Sequence, residues 1–355
     1  MRLIKGITKE EIEYKKRNIN YLLLVLGGVF ALAAIIVISL INGNYQTSFS
    51  DAFTALMNPE TNKQVYNIIV YSRVPRLVAS LIVGAALSVA GLVYQEIFKN
   101  SMASPDVLGV SQGASVGAAI AIILGLSFWM IGVVSFIIGV CTVVLTIILS
   151  RLFSGSDSNR TISLILSGIV IGGLMSSTLG FLKYISNDTQ LSTITFWLMG
   201  GFYNVTYDQL FVVVPIISIC IVGLFLFRWN IGMLKRGDKD AKSHGINAKL
   251  TKVFVIVLST IVTALSVGIS GTVGWIGLAI PNLVRLIVKN NSKHIMGLTI
   301  LYGMVFTGLC DLLARTLTPF EIPVGIITGC LGAIIFVVAL AIRRIAYARE
   351  TDSNR

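Results

Sequence analysis

Long uncharged stretches alternate with short polar ones along almost the whole chain. The uncharged runs are 21–41, 77–95, 107–150, 161–182, 209–227, 253–284, 295–310 and 322–342. An α-helix needs about 20 residues to cross roughly 30 Å of hydrocarbon, so most of these runs are one span each. Two are too long for that. The run 107–150 predicts two helices with a turn near 125–128, where aromatic residues suit the membrane interface. The run 253–284 predicts two more, broken at Gly268, Gly271 and Gly274. The pattern therefore predicts an all-α, polytopic membrane protein with ten transmembrane helices. Its parts are a cytoplasmic segment 1–20, a ten-helix transmembrane domain 21–344 and a cytoplasmic tail 345–355.

A membrane β-barrel does not fit, because the roughly ten-residue apolar and polar alternation of barrel strands is missing. The first run follows a basic stretch at Lys15, Lys16 and Arg17, as a signal peptide would. It is longer than a signal core and no small-x-small cleavage site follows, so it is expected to stay as the first helix. Composition agrees with lipid as the main solvent: 55% of the 355 residues are apolar, 12% are charged, and the mean hydropathy is +0.85.

With the N-terminus and the C-terminus both placed in the cytoplasm, all but five of the 28 Lys and Arg residues fall on the inner side, as the positive-inside rule requires. The net charge of +12 is thus a topological signal, and it calls for no nucleic acid. The exceptions are Lys63, Arg73, Arg76, Lys183 and Arg315. Three of them, Arg73, Arg76 and Arg315, stand directly at outer helix ends. Two readings are open for these: local ion pairs with Asp311 or Glu321, or an electropositive rim that meets an acidic partner.

Several chemistries are absent. No G-x-x-x-x-G-K-[ST] phosphate loop occurs, so ATP would have to be hydrolysed on another chain. His244 and His294 lie in inner loops, and no metalloprotease motif or nucleophile elbow is placed in a span. The cysteines Cys141, Cys220, Cys310 and Cys330 have no metal or redox spacing. The chain is expected to be no enzyme and to bind no metal or cofactor. Ion-coupled carriers place ionisable groups near the bilayer midplane, whereas Glu96, Lys183, Arg285, Asp311 and Arg315 fall toward helix ends. That weakens the alternative of a stand-alone ion-coupled secondary transporter. The 33 glycines often recur four apart, as at Gly109, Gly113 and Gly117, or Gly325 and Gly329, which is the spacing of close helix packing. On the fifth predicted span, Gly168, Gly172, Gly173, Ser176 and Ser177 are the candidates for a smooth pathway lining.

Several segments carry a resemblance. Arg73-Val-Pro-Arg76 precedes a small-residue helix. The stretch 100–114 contains Ser104 and Pro105, placed to cap and start a helix, then Gly109 and Gly113. Phe196-Trp197-Leu-Met-Gly200 precedes the sixth span. Gly237-Asp238-Lys-Asp-Ala241-Lys-Ser243-His-Gly245-Ile246 matches a G-D-x-x-A-x-S-x-G-x element. Gly271-Thr-Val-Gly274-Trp-Ile-Gly277 leads to Pro281 and Arg285, and Asp311-Leu-Leu-Ala-Arg315 to Glu321 and Pro323. Together they resemble the FecCD-type permeases of the iron-siderophore, haem and cobalamin importers over about 73–343. Ser101, Thr272, Asn282 and Ile334 depart from that family's pattern.

The resemblance implies the type II importer fold. It implies ATP-binding-cassette ATPase subunits, carrying ATP and Mg, docked at Gly237, Asp238, Ala241, Ser243, Gly245 and Ile246. It also implies a second permease subunit and a substrate-binding protein, a tethered lipoprotein, docked at Arg73, Arg76 and Arg315. An iron-siderophore is the first expectation for cargo, with haem or cobalamin as alternatives, and a bacterial plasma membrane is the expected location.

Overall fold

The computed structural model describes residues 9–353 other than 44, 46, 154–159 and 289–291. The ends of the expected terminal segments, 1–8 and 354–355, lie outside the described residues, as do the side chains of Lys15, Lys16 and Arg17. Among the described residues all regular structure is helical. In chain order the helices are α1 (Lys9–Ile41), α2 (Phe49–Met57), α3 (Lys63–Asn67), α4 (Val74–Ile97), α5 (Val110–Ile123), α6 (Phe128–Phe153), α7 (Arg160–Ile185) and α8 (Asp188–Met199). They continue with α9 (Tyr207–Leu226), α10 (Arg228–Arg236), α11 (Asp238–Ser243), α12 (Ala248–Ser270), α13 (Ile276–Val288), α14 (Ser292–Ala314) and α15 (Val324–Ser353). A π-helical stretch Ile68–Arg73 feeds α4, and a 3-10 turn Pro105–Leu108 precedes α5.

Eight of these helices are long and apolar enough to cross a membrane, and α5 and α13 are shorter. The chain is a multi-pass membrane protein. The shortfall in α5 and α13 has a physical cause. At 1.5 Å per residue, the 14 and 13 residues of α5 and α13 reach only about 20 Å. A 3-10 turn stands ahead of α5 and the irregular segment 271–275 ahead of α13. Ser104 and Pro105 stand at the cap and the first position as expected, but of a 3-10 turn, and the Ser104 hydroxyl makes no capping bond there. α5 begins only after Gly109, whose φ of +79° redirects the chain.

The expected turn at 125–128 is present between α5 and α6, and α12 ends at Ser270 just before Gly271 at φ +65°. Centrally, α4 is buried on nearly all sides by α14, α12, α13 and α9. Small residues permit this closeness. A Cβ on Gly91 would stand 2.0 Å from Gly277 O, and one on Gly84 2.3 Å from Gly303 O. By contrast α1, α7 and α15 bury little of their apolar surface within the chain.

Candidate functional site

At one end of the bundle, the start of α4 and the end of α14 bring together Arg73, Arg76, Asp311, Arg315 and Glu321. Arg76, in the first turn of α4, places Nε 2.7 Å from Asp311 Oδ1 and Nη1 3.0 and 2.9 Å from the two oxygens of Glu321. Arg73 turns toward the end of α1. Its Nη1 donates to Leu40 O at 2.6 Å, Ile41 O at 2.7 Å and Thr47 Oγ1 at 2.8 Å, and its Nη2 to Tyr45 O. A cation there satisfies carbonyls that a helix C-terminus leaves unpaired. Arg315 lies with Nε 3.5 Å from Asp311 Oδ2 and donates from Nη1 to Asn42 O at 3.2 Å. Burial pulls the Arg315 guanidinium below its ordinary pKa, and the Asp311 carboxylate opposes that shift.

The structure brings the three arginines together, as expected, but they do not form an exposed electropositive rim. Arg73, Arg76 and Arg315 are 4%, 7% and 4% exposed, and Asp311 is fully buried. The ion-pair reading of Arg76 and Arg315 is the one the geometry shows. The carboxylates and the α1 carbonyls draw the guanidinium groups inward, because an unpaired charge in this setting is costly. Beside them opens a cleft of about 400 Å³, lined by Arg76, Phe196, Tyr203, Glu321 and Pro323.

At the opposite end, α10 and α11 form a helical hairpin hinged at Gly237, whose φ is +142°. The six residues singled out there divide between its scaffold and its surface. Ala241 is buried and packs with Leu234 and Ile246. The Ile246 N–H donates to Ala241 O at 3.0 Å and the Gly245 N–H to Lys242 O at 3.0 Å, with Gly245 at φ +76°. That is a Schellman closure, complete with its apolar contact between Ile246 and Ala241. Ser243 Oγ bonds Asp240 O at 2.8 Å, and both oxygens of Asp238 lie within 2.8 Å of Lys252 Nζ. Asp238, Ser243 and Gly245 are exposed alongside their neighbours Lys239, Asp240, Lys242 and His244, while Ala241 and Ile246 are buried. The motif thus covers both the closure of the hairpin and part of its exposed surface.

The five candidate pathway positions on α7 divide. Gly168 and Gly172 are buried against the 3-10 turn and α5, where a Cβ on Gly168 would meet Val107 O at 1.9 Å and one on Gly172 would stand 3.9 Å from Gly109. They are packing positions, a correction to their reading as lining. Gly173, Ser176 and Ser177 are exposed, and space beside Gly173 is open. Sequence reasoning placed Glu96 and Arg285 near helix ends but did not bring them together: at the hairpin end of α4, Arg285 bonds Gln95 and Glu96, and Lys235 bonds Glu96. A carboxylate one residue from the end of an otherwise apolar helix was the available signal.

A bundle of this kind, with irregular backbone feeding two short helices and opposite ends built from charged clusters, defines a multi-pass membrane protein of the transporter class. The chain belongs to the FecCD transport family, whose pattern spans residues 31–342. It is 35% identical over 269 residues to a protein of Helicobacter pylori described as an iron chelatin transport system permease, covering 76% of this chain and 81% of that one. It is 33% identical over 323 residues to the molybdate import system permease MolB of Haemophilus influenzae, covering 89% and 95%. A solved structure described as an inward-facing, metal-chelate type ABC transporter superposes with a TM-score of 0.79 at 32% identity, covering 89% of this chain and 98% of that one.

Proposed function

We propose that the chain is the membrane-spanning permease subunit of an ATP-binding-cassette importer in a bacterial plasma membrane. It spans the bilayer ten times, with α5 and α13 completed by the irregular backbone ahead of them and with both termini cytoplasmic. ATPase subunits, which hold ATP and Mg, dock on the α10–α11 hairpin, and a tethered substrate-binding protein docks at the Arg73, Arg76 and Arg315 end. A second permease subunit covers α7 and α15, so that Gly173, Ser176 and Ser177 face the pathway between the two. The chain catalyses no covalent step.

One observation carries this reading. The charged cluster and the hairpin stand at opposite ends of α4, whose 24 residues cover about 36 Å, so partners on either face of a bilayer address one rigid helix. Here the arginines act by fixing the shape of the docking surface, since Arg76 and Arg315 are engaged by carboxylates and Arg73 by backbone carbonyls. The cargo is an iron chelate, with a siderophore complex first and haem or cobalamin as alternatives. Support comes from the description of the Helicobacter relative and of the metal-chelate transporter, while the molybdate relative shows that family members differ in cargo.

The test is uptake of a radiolabelled ferric hydroxamate into proteoliposomes holding the permease, its ATPase and its binding protein. Uptake should require ATP and the binding protein. Uptake by the permease alone along an ion gradient would overturn the reading in favour of a secondary carrier.

A further inference from the structure

Three separate segments meet at one buried carboxylate on the hairpin side. Glu96, next to the last residue of α4, is 6% exposed. Its Oε1 accepts from Arg285 Nη2 at 2.7 Å, and Lys235 Nζ lies 3.3 Å from Oε1 and 3.2 Å from Oε2. Arg285 belongs to the last turn of α13 and also donates from Nη1 to Gln95 Oε1. Gln95 in turn donates from Nε2 to Gly277 O at 3.0 Å, near the start of α13. Lys235 belongs to the last turn of α10, two residues before the Gly237 hinge.

The network continues. Asn282 of α13 donates from Nδ2 to Ser101 O at 2.9 Å, in the loop that leaves α4. That loop ends in the 3-10 turn seated on α7, with Val107 O against Gly168.

We propose that Glu96 is the joint through which displacement of the α10–α11 hairpin reaches α4, α13 and, by way of the 101–109 loop, the exposed face of α7. This rests on the hairpin being the ATPase-docking element. The chemistry of the joint suits that task. Apolar contacts are non-directional and let helices slide, whereas a buried carboxylate held by two cations fixes both distance and orientation. Separating Arg285, whose side chain is 8% exposed, from Glu96 strands a buried charge, so α4 and α13 move as one piece. Lys235, 43% exposed, is the arm that can follow the hairpin and stay solvated. Glu96 and Lys235 are therefore positioning residues.

The test uses the permease in complex with its ATPase subunits in nanodiscs, with Cys141, Cys220, Cys310 and Cys330 each replaced by Ser and with Gly173→Cys as reporter. The rate of its reaction with a water-soluble maleimide is compared without nucleotide and with ATP plus vanadate. With the joint intact, nucleotide should change that rate by about fivefold or more, the usual scale of coupling between sites. Lys235→Met leaves the Glu96–Arg285 pair in place and should bring the ratio close to one while assembly and ATP hydrolysis persist. Glu96→Gln should do the same, and Glu96→Asp should restore part of the ratio.

An unchanged ratio in Lys235→Met and Glu96→Gln overturns the proposal, as does loss of the ratio only where the ATPase also dissociates. Absence of any nucleotide effect with the joint intact overturns the ATP-driven reading itself, and the joint with it.

Discussion

Arg76 and Asp311 are 235 positions apart in the chain, yet the guanidinium Nε lies 2.7 Å from the carboxylate Oδ1. The pair fastens the first turn of α4 to the last turn of α14, and Glu321 joins from the segment that leads into α15. Asp311 has no exposed surface, whereas the Glu321 side chain is 36% exposed. The two carboxylates should therefore differ sharply in weight. Asp311→Asn leaves Arg76 and Arg315 without their buried counter-charge and should cost about 3–5 kcal/mol. Glu321→Gln, in a partly solvated pair, should cost about 1 kcal/mol or less. Thermal unfolding of the purified protein in detergent reads both, and equal losses would contradict the assigned geometry.

Burial also changes what a charge reversal at this end would report. Arg315 is 4% exposed beside Asp311, so Arg315→Glu would place two carboxylates together in a dry site. The expected outcome is loss of folded permease, visible as aggregation on size-exclusion chromatography. Well-folded protein with weakened binding-protein docking is the outcome that would restore an exposed, directly docking Arg315.

On α7 the adjacent glycines Gly172 and Gly173 look alike in the sequence but face different surroundings, and Gly168 is tighter still. Gly168→Ala would force a methyl into the position 1.9 Å from Val107 O, and overpacking of this kind costs about 1–3 kcal/mol. Gly173→Ala meets open space and should stay within about 0.5 kcal/mol of the parent. Unfolding midpoints of the two variants check the contrast. A large loss at Gly173 with none at Gly168 would reverse the face assigned to the helix.

Those glycines show where legibility stopped. Apolar runs fix that a span exists, because lipid leaves the backbone no choice but helix, and the breaks near 125–128 and 271 were readable from their glycines. Small-residue spacing does not reveal which neighbour sits opposite, since Gly168 meets a carbonyl that arrives from a different segment. The same holds for Arg73: its position at a span end was visible, but its partners at Leu40 and Ile41 depend on how α1 packs. The shortened α5 and α13 were hidden because irregular backbone packed among other helices keeps the same apolar composition as helix. Glu96 was visible as a charge at a helix end, but Lys235 and Arg285 reach it only through tertiary packing.

The hairpin separates shape from surface, and that separation can be tested. Gly245 sits at φ +76° as the closing residue of α11, a conformation that costs an L side chain about 1 kcal/mol or more. Gly245→Val, with a β-branched side chain, should fray the Ala241–Ile246 closure and lower the stability of the element. The side chains of Lys239 and Lys242 are exposed and take no part in that closure, which uses only the Lys242 carbonyl, so Lys239→Glu with Lys242→Glu should leave the fold intact while reversing the charge offered to a partner. Pull-down of the ATPase subunit on purified permease would read the difference, with a thermal scan as control for folding. Weakened ATPase binding by the double lysine variant at unchanged unfolding temperature supports the exposed face as the contact. Undiminished binding in that variant, with loss only in Gly245→Val, would move the contact to the scaffold residues themselves.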